Sequence, residues 1–356
     1  MKKATQFISI CLLCATLCGC TPWMNGKYTS VTPYDDIEAP LPQESVEVSN
    51  YNQLQNALKE LVESCGTESM FYTKWNHKNS GKLMDDAIRY VLANSPIAAY
   101  AVEDIHYETG TNSGRDAISV QIQYRYERSD IQRIRHVSTV AEAQTLITAA
   151  LEAYDPGTVI RVDNYTSTDL TQMVQDYVDA HPDTCMEMPQ ISATVYPDGE
   201  GERIISVAFT YQTSRESLRT MQQTVSPIFE SASLYLVPDA AERVKYQQLY
   251  SFLMQRFNYT IETSITPSYS LLYHGVGDSK AFATVYSAIC RKAGLPCQVV
   301  SGTKNGAPRY WNLIVIDGQQ YHLDLLSGSF RTLTDNQMSG YVWDYSAYQQ
   351  PESTTE

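Results

Sequence analysis

The chain reads GVGDSKAFA at residues 275–283, RYWN at 309–312 and YHLD at 321–324. The first stretch predicts the start of a helix, and the apolar residues that follow at helical spacing give that helix a buried face. The other two predict strands of a hairpin, because the dipeptide Asp317-Gly318 between them favours a tight turn. These three stretches decide how the C-terminal third of the chain is interpreted.

Their order, with GLPC and VVSG between the helix and the hairpin, resembles the transglutaminase-like (papain-like) superfamily. In that family a G-x-C-x-x-[YF]-[AS] motif, an H-x-W-N motif and a strand ending in Asp supply a Cys-His-Asp triad. Here Ser279 stands at the Cys position, Arg309 stands at the His position, and Asp324 keeps the third position. The resemblance implies a transglutaminase-like α+β domain over residues 223–346.

The two changed positions predict a domain without acyl-transfer activity. A serine hydroxyl is far less acidic than a thiol, so it needs a general base even more than cysteine does. Arginine cannot be that base, because its guanidinium stays protonated throughout the accessible pH range. An Arg309 that lies beside Asp324 would form a charge-assisted ion pair with it. The alternative, in which Arg309 points into solvent at the start of its strand, stays open at this level. Such a cleft would bind a peptide, a cell-wall polymer or a surface protein without cleaving it.

Two other interpretations stay open at this level. In the first, the domain is an active acyl-transfer or amide-hydrolysing enzyme, in which Ser279 is activated by a substitute base such as His322. This histidine lies two residues from Asp324 and therefore on the same face of its strand. In the second, the segments that precede the domain do the binding and the domain itself is inert.

The N-terminus predicts a lipid anchor. Lys2 and Lys3 precede a short apolar run, and the following residues LCGC match a lipoprotein cleavage box. Residues 1–19 are then a signal peptide, Cys20 is the lipidated mature N-terminus, and residues 20–45, rich in proline, form a tether. The predicted location is the extracytoplasmic face of a bacterial cell membrane.

Charge and composition exclude some partners. The formal net charge is −14 at pH 7, which repels nucleic acid. No spacing resembles a zinc site, so no metal and no other cofactor is predicted. Cys65, Cys185, Cys290 and Cys297 cannot be paired from the sequence, and the last two are expected to be buried free thiols.

The middle of the chain contains two consecutive segments with the same sequence pattern. Residues 46–134 and 135–222 each predict a β-α-β-α-β-β module, and the apolar positions of their helices fall at matching offsets. The fold class is therefore α+β, with two tandem repeat modules before the transglutaminase-like domain. Residues 347–356 predict a disordered tail. The matching helix positions are Ala57, Leu58, Leu61 and Val62 against Leu146, Ile147, Ala150 and Leu151, and Met84, Ala87, Ile88 and Val91 against Leu170, Met173, Val174 and Tyr177.

Overall fold

The computed structural model of the protein describes residues 45–348, and for His77 the backbone alone. The predicted signal peptide, the lipidation site Cys20 and the tether before residue 45 lie outside these residues. So does most of the predicted tail. Its first two residues, 347 and 348, belong instead to a single helical turn, Tyr345–Tyr348. They are held there because the Tyr348 hydroxyl accepts a hydrogen bond from the Ser301 N–H.

The first sheet has four strands in the order β1-β2-β4-β3, with β1 parallel to β2 and the other pairs antiparallel. Its helices bury apolar stripes against one face of the sheet, as their 3.6-residue spacing requires. A short extra helix, opened by Ser95 and Pro96, precedes β3 and was not predicted. The elements are β1 (Ser45–Val48), α1 (Tyr51–Glu63), β2 (Glu68–Thr73), α2 (Ser80–Asn94), α3 (Pro96–Ala101), β3 (Val102–Asn112), β4 (Arg115–Tyr124) and α4 (Arg128–Gln132).

The second sheet has the order β5-β6-β8-β7, again with its first two strands parallel and the others antiparallel. The strand order and directions therefore equal those of the first sheet. Of the paired helix positions, Leu58 and Ile147 are both fully buried, and Met84 and Leu170 are both buried as well. The elements are β5 (Arg135–Thr139), α5 (Val140–Glu152), β6 (Gly157–Tyr165), α6 (Leu170–Ala180), β7 (Gln190–Tyr196) and β8 (Gly201–Thr210).

The third sheet is fully antiparallel, in the order β13-β12-β11-β14. The hairpin predicted at Asp317-Gly318 is present, with φ values of 52° and 78° that suit its turn. The elements of this part are α7 (Arg215–Ala232), α8 (Glu242–Met254), β9 (Asn258–Tyr259), α9 (Pro267–Tyr269), β10 (Val276–Gly277), α10 (Ser279–Lys292), β11 (Cys297–Lys304), β12 (Ala307–Ile316), β13 (Gln319–Leu323) and β14 (Tyr341–Trp343).

Helix α10 is the centre of this part of the chain. Nine of its residues between Ala281 and Cys290 are buried, and the helix contacts α6, α7 and α8 as well as β11 and β12. Its first turn is fixed because Asp278 Oδ1 accepts from the Ala281 N–H at 2.8 Å. The residue that begins α10, Ser279, is thus held at one end of a buried, rigid element.

The predicted domain limit at residue 222 does not fall between two elements. The limit expected between residues 222 and 223 falls inside α7, whose buried residues Leu218 and Phe229 share one core with α8 and α10. Helix α8 begins at Glu242 after the N-cap residue Ala241, whose methyl side chain cannot accept a hydrogen bond, and the Glu242 carboxylate accepts from the Asp317 N–H.

All described residues belong to one compact unit. Within residues 45–348, no helix combines the length and the apolar character that crossing a bilayer requires.

Candidate functional site

Ser279 lies where α10 meets β12. Its Oγ accepts a hydrogen bond from the Tyr310 N–H at 3.3 Å, and within residues 45–348 this is the one hydrogen bond of the hydroxyl. The preceding residue, Asp278, also accepts from the Thr263 hydroxyl at 2.9 Å. The helix N-terminus beside Ser279 is therefore already capped by a carboxylate of this chain.

Asp324 is the most highly connected side chain of the site. Arg309 binds it in a fork, with Nη2 at 2.7 Å from Oδ1 and Nε at 3.2 Å from Oδ2. Lys304 Nζ donates to Oδ2 at 3.2 Å, the Tyr341 hydroxyl donates to Oδ2 at 2.7 Å, and the Leu326 N–H donates to Oδ1 at 3.0 Å. Every direction around the carboxylate is thus occupied by a donor.

Burial makes these contacts strong. The side chain of Asp324 is 2% exposed and that of Arg309 13%, whereas Lys304 remains 34% exposed. Burial by itself would raise the pKa of Asp324, but the hydrogen bonds and charges of Tyr341, Arg309 and Lys304 outweigh it and lower this pKa below its ordinary value. Asp324 is therefore an anion at neutral pH, and with two cations beside it the cluster has a net charge of +1.

His322 is buried in a separate network on the same strand. Its Nδ1 accepts from the Trp311 indole N–H at 2.9 Å, and its Nε2 lies 2.9 Å from Asp335 Oδ1. Because Nδ1 accepts, Nε2 is the protonated nitrogen and donates to the carboxylate. Burial lowers the pKa of His322, although Asp335 partly opposes this effect. Both ring nitrogens have partners other than Ser279, so this geometry gives no support to the predicted substitute base.

Aromatic rings flank the ion pair. The Arg309 guanidinium lies 5.9 Å from the ring centroid of Tyr259, and the Lys280 ammonium lies 5.7 Å from that of Tyr310. Tyr259 is 49% exposed. The structure thus brings Ser279 close to Tyr310, and Arg309 to Asp324 and Tyr259.

Sequence reasoning missed Lys304, Tyr341 and Lys280 as members of the site. Lys304 ends β11 and Tyr341 begins β14, two strands that pair with each other at these residues. Strand β14 is only three residues long and follows a long irregular segment, so its pairing left no periodic signal in the sequence.

The metal-ligand candidates lie elsewhere. Among the described residues, one group of histidine and carboxylate atoms, in His136, Asp163 and Glu202, lies within 4.8 Å. The His136 ring is already 2.5 Å from Asp163, and Arg161 pairs with Glu202 at 2.5 Å. We interpret the group as a cross-strand ion network. The described cysteines, Cys65, Cys185, Cys290 and Cys297, are free thiols, and the last is only partly buried.

Comparison with known proteins agrees with the C-terminal fold. The sequence model of the transglutaminase-like superfamily matches residues 236–344. Residues 236–344 are a transglutaminase-like domain. The match includes α10, the whole third sheet and the Asp324 cluster. A search of the curated proteins found no match.

Three solved structures are similar to this chain at low identity. One is a transglutaminase (TGase; 10% identity, TM-score 0.27), which covers 62% of this chain and 63% of its own length. A candidate cysteine protease from Cytophaga hutchinsonii has 11% identity, a TM-score of 0.25 and coverage of 44% and 70%. A candidate protease from Parabacteroides distasonis has 8% identity, a TM-score of 0.24 and coverage of 75% and 44%. The chain thus spans less than two thirds of the first structure.

Proposed function

We propose that this is a cell-surface lipoprotein whose transglutaminase-like domain is a pseudoenzyme that binds a peptide without cleaving it. The peptide would be free, part of a cell-wall polymer or exposed on a surface protein. Ser279, Arg309 and Asp324 are proposed as the degenerate triad, and Cys20 as the lipid-anchored residue. One observation supports the proposal above the others: Arg309 is fixed in a fork on Asp324 at 2.7 Å.

The chemical reason is that the hydroxyl proton of Ser279 has no suitable acceptor. Attack by Ser279 on a carbonyl requires that its hydroxyl proton moves to an acceptor. Arg309 has no acceptor atom, and the hydroxyl is engaged by a backbone N–H that donates to it rather than accepting from it. Asp324, which could accept a proton in principle, is surrounded by five donor atoms and has a lowered pKa. Among these groups the hydroxyl proton of Ser279 therefore has no acceptor.

The same features suit binding. The cluster around Asp324 has an excess positive charge, and the half-exposed ring of Tyr259 stands against Arg309. Cation and ring together offer a surface for a peptide carbonyl or carboxylate and for an apolar side chain. We further propose that the first and second sheets are duplicated modules that support or extend this surface. Their equal strand order and matching buried positions support that interpretation.

Loss of activity can be tested by restoring it. We expect the wild-type protein and Ser279→Ala to show the same background labelling with an amide-directed acyl probe and the same background release of ammonia from glutamine peptides. The double variant Ser279→Cys/Arg309→His should gain thiol-dependent labelling, since it returns a nucleophile and a base to one site. Wild-type turnover that Ser279→Ala abolishes would refute the proposal.

Binding needs its own measurement. We suggest fluorescence polarisation with a labelled peptide panel that includes cell-wall stem peptides, using the chain from residue 21 onward. Tyr259→Ala should weaken the best peptide about tenfold, in line with removal of an aromatic contact residue. Tyr90→Ala is the matched control, because Tyr90 is 51% exposed on α2, far from this site in the fold. Equal affinities of wild type and Tyr259→Ala would exclude this cleft as the binding surface.

A further inference from the structure

An apolar cavity of about 290 Å³ lies beside the first turn of α10. Its walls come from the end of α6, from the α6–β7 connection (residues 181–189), from residues 263–268 and from α10 itself. The α6–β7 connection belongs to the second sheet's part of the chain and not to the segment that matches the transglutaminase-like superfamily. Apolar and sulfur-containing side chains dominate the lining: Pro182, Cys185, Met186, Met188, Ile265 and Pro267.

Most polar side chains of the lining already have partners. Lys280 Nζ lies 2.8 Å from Asp179 Oδ1, which joins α10 to α6 at the wall. The Glu187 carboxylate accepts from two backbone N–H groups, and the Thr284 hydroxyl donates to its own helix. A charged ligand would find few groups to compensate its lost hydration. The cavity therefore favours an apolar occupant.

The cavity is linked to Ser279 through two of its lining residues. The Thr263 hydroxyl donates to Asp278, the residue before Ser279. Lys280, the residue after Ser279, lies over the ring of Tyr310, whose N–H donates to Ser279 Oγ. A peptide that crosses Ser279 therefore passes within side-chain reach of the cavity.

We infer that this cavity is a specificity pocket for one bulky apolar side chain, aromatic or branched aliphatic, of a peptide bound across Ser279. The inference deepens the proposed peptide binding and rests on it. The volume agrees, because about 290 Å³ lies at the lower end of ligand pockets, roughly 300–1,000 Å³. One large side chain fits such a space, whereas a long peptide segment does not. Met186 and Met188 supply an adaptable wall, as thioethers commonly do.

The two methionines also provide the test. In protein labelled with ¹³C at the methionine methyl groups, the Met186 and Met188 signals are assigned with Met→Leu variants. The protein is then titrated with N-acetyl-phenylalaninamide and, separately, with N-acetyl-glycinamide. We expect both signals to shift with the phenylalanine compound, with a dissociation constant on the order of 1 mM for a ligand of this size. Binding of the glycine compound should be about tenfold weaker or worse, because it buries no side chain.

A matched pair of variants locates the effect. Ser264 lines the cavity, and its Oγ accepts from the Thr266 N–H. Ser264→Phe and Ser264→Ala both lose this hydrogen bond, but only the phenylalanine fills the cavity. The shifts should therefore disappear in Ser264→Phe and persist in Ser264→Ala. The signal of Met84, fully buried in the first core, serves as an internal control for folding.

The result does not depend on the variants alone. In the wild type, intermolecular NOEs between the ligand ring and the Met186 and Met188 methyl groups should appear. Absence of shifts and NOEs at these methyls with every apolar amide would overturn the inference, and so would shifts that persist in a folded Ser264→Phe protein. If peptide binding depends on Tyr259 but the methyl signals do not respond, the specificity pocket is contradicted and the proposed binding cleft is supported. If the methyl signals respond but no peptide binds in a Tyr259-dependent way, the cavity takes apolar groups and the proposed binding cleft is contradicted.

Discussion

Removal of Arg309 gives the most direct test of the buried ion pair. Breaking a buried pair costs about 3–5 kcal/mol when it leaves an uncompensated charge. In Arg309→Ala, Asp324 keeps Lys304 at 3.2 Å and the Tyr341 hydroxyl at 2.7 Å. Because this compensation is partial, and Lys304 is one-third exposed, we expect the lower end of the range, about 3 kcal/mol.

Hydrogen exchange of the amides in β11, β12 and β13 is the suitable assay. It reports the third sheet without requiring that the whole chain unfolds in a single step. A loss of about 3 kcal/mol corresponds to exchange that is faster by roughly 100-fold in the slowest amides. Arg89→Ala is the control, since Arg89 pairs with Asp86 on an exposed helix face, where such a pair contributes about 0.5 kcal/mol or less.

The pH dependence adds an independent check. The pKa of Asp324 is lowered in the folded protein, so its contribution is present above the unfolded value of about 3.9 and is lost as pH falls through the folded value. The ratio of exchange rates between Arg309→Ala and wild type should therefore shrink toward one below about pH 4. A neutral-pH ratio no larger than that of the Arg89→Ala control would refute the reasoning, and so would a ratio that stays constant down to pH 3.

Three further perturbations have defined outcomes. His322→Gln should destabilise the third sheet by about 1–3 kcal/mol in urea unfolding, because two buried hydrogen bonds are disturbed, while acyl-probe labelling stays at background. Gly302→Ala should prevent native pairing of β14, since the added Cβ would stand 2.3 Å from the Val342 carbonyl oxygen; unchanged near-UV circular dichroism would contradict this. Arg161→Ala should loosen the contact between the first two sheets, because Arg161 binds Glu63 at 2.7 Å and both side chains are mostly buried; unchanged protease resistance of the connection between them would speak against it.

The local features of the C-terminal domain could be predicted because each one depends on neighbouring residues. The buried face of α10 follows from 3.6-residue spacing, and the hairpin follows from a turn that suits Asp317 and Gly318. The sequence left open whether Arg309 pairs with Asp324 or points into solvent, and the structure has the pair: Arg309 lies on one strand of that hairpin and Asp324 directly after the other.

The features that were missed depend on contacts between distant segments. Lys304 and Tyr341 reach Asp324 only because β14 pairs with β11. A three-residue strand is too short to carry a sequence pattern that predicts this pairing. The Glu242 carboxylate likewise accepts from the N–H of the distant Asp317. The predicted limit at residue 222 lies inside α7, because the polar stretch there is the exposed side of a helix whose other side is core.

Strand β14 also restricts how a guest chain can be held. It covers β11 from Gly302 to Lys304, on the edge of the third sheet nearest the charged cluster. An extended polypeptide therefore cannot pair with β11 at these residues, and β14, the edge strand itself, offers only three residues for main-chain pairing, which recognises almost any sequence. Whatever docks at this end must be selected by its end groups and side chains, and discrimination between sequences follows from the architecture itself.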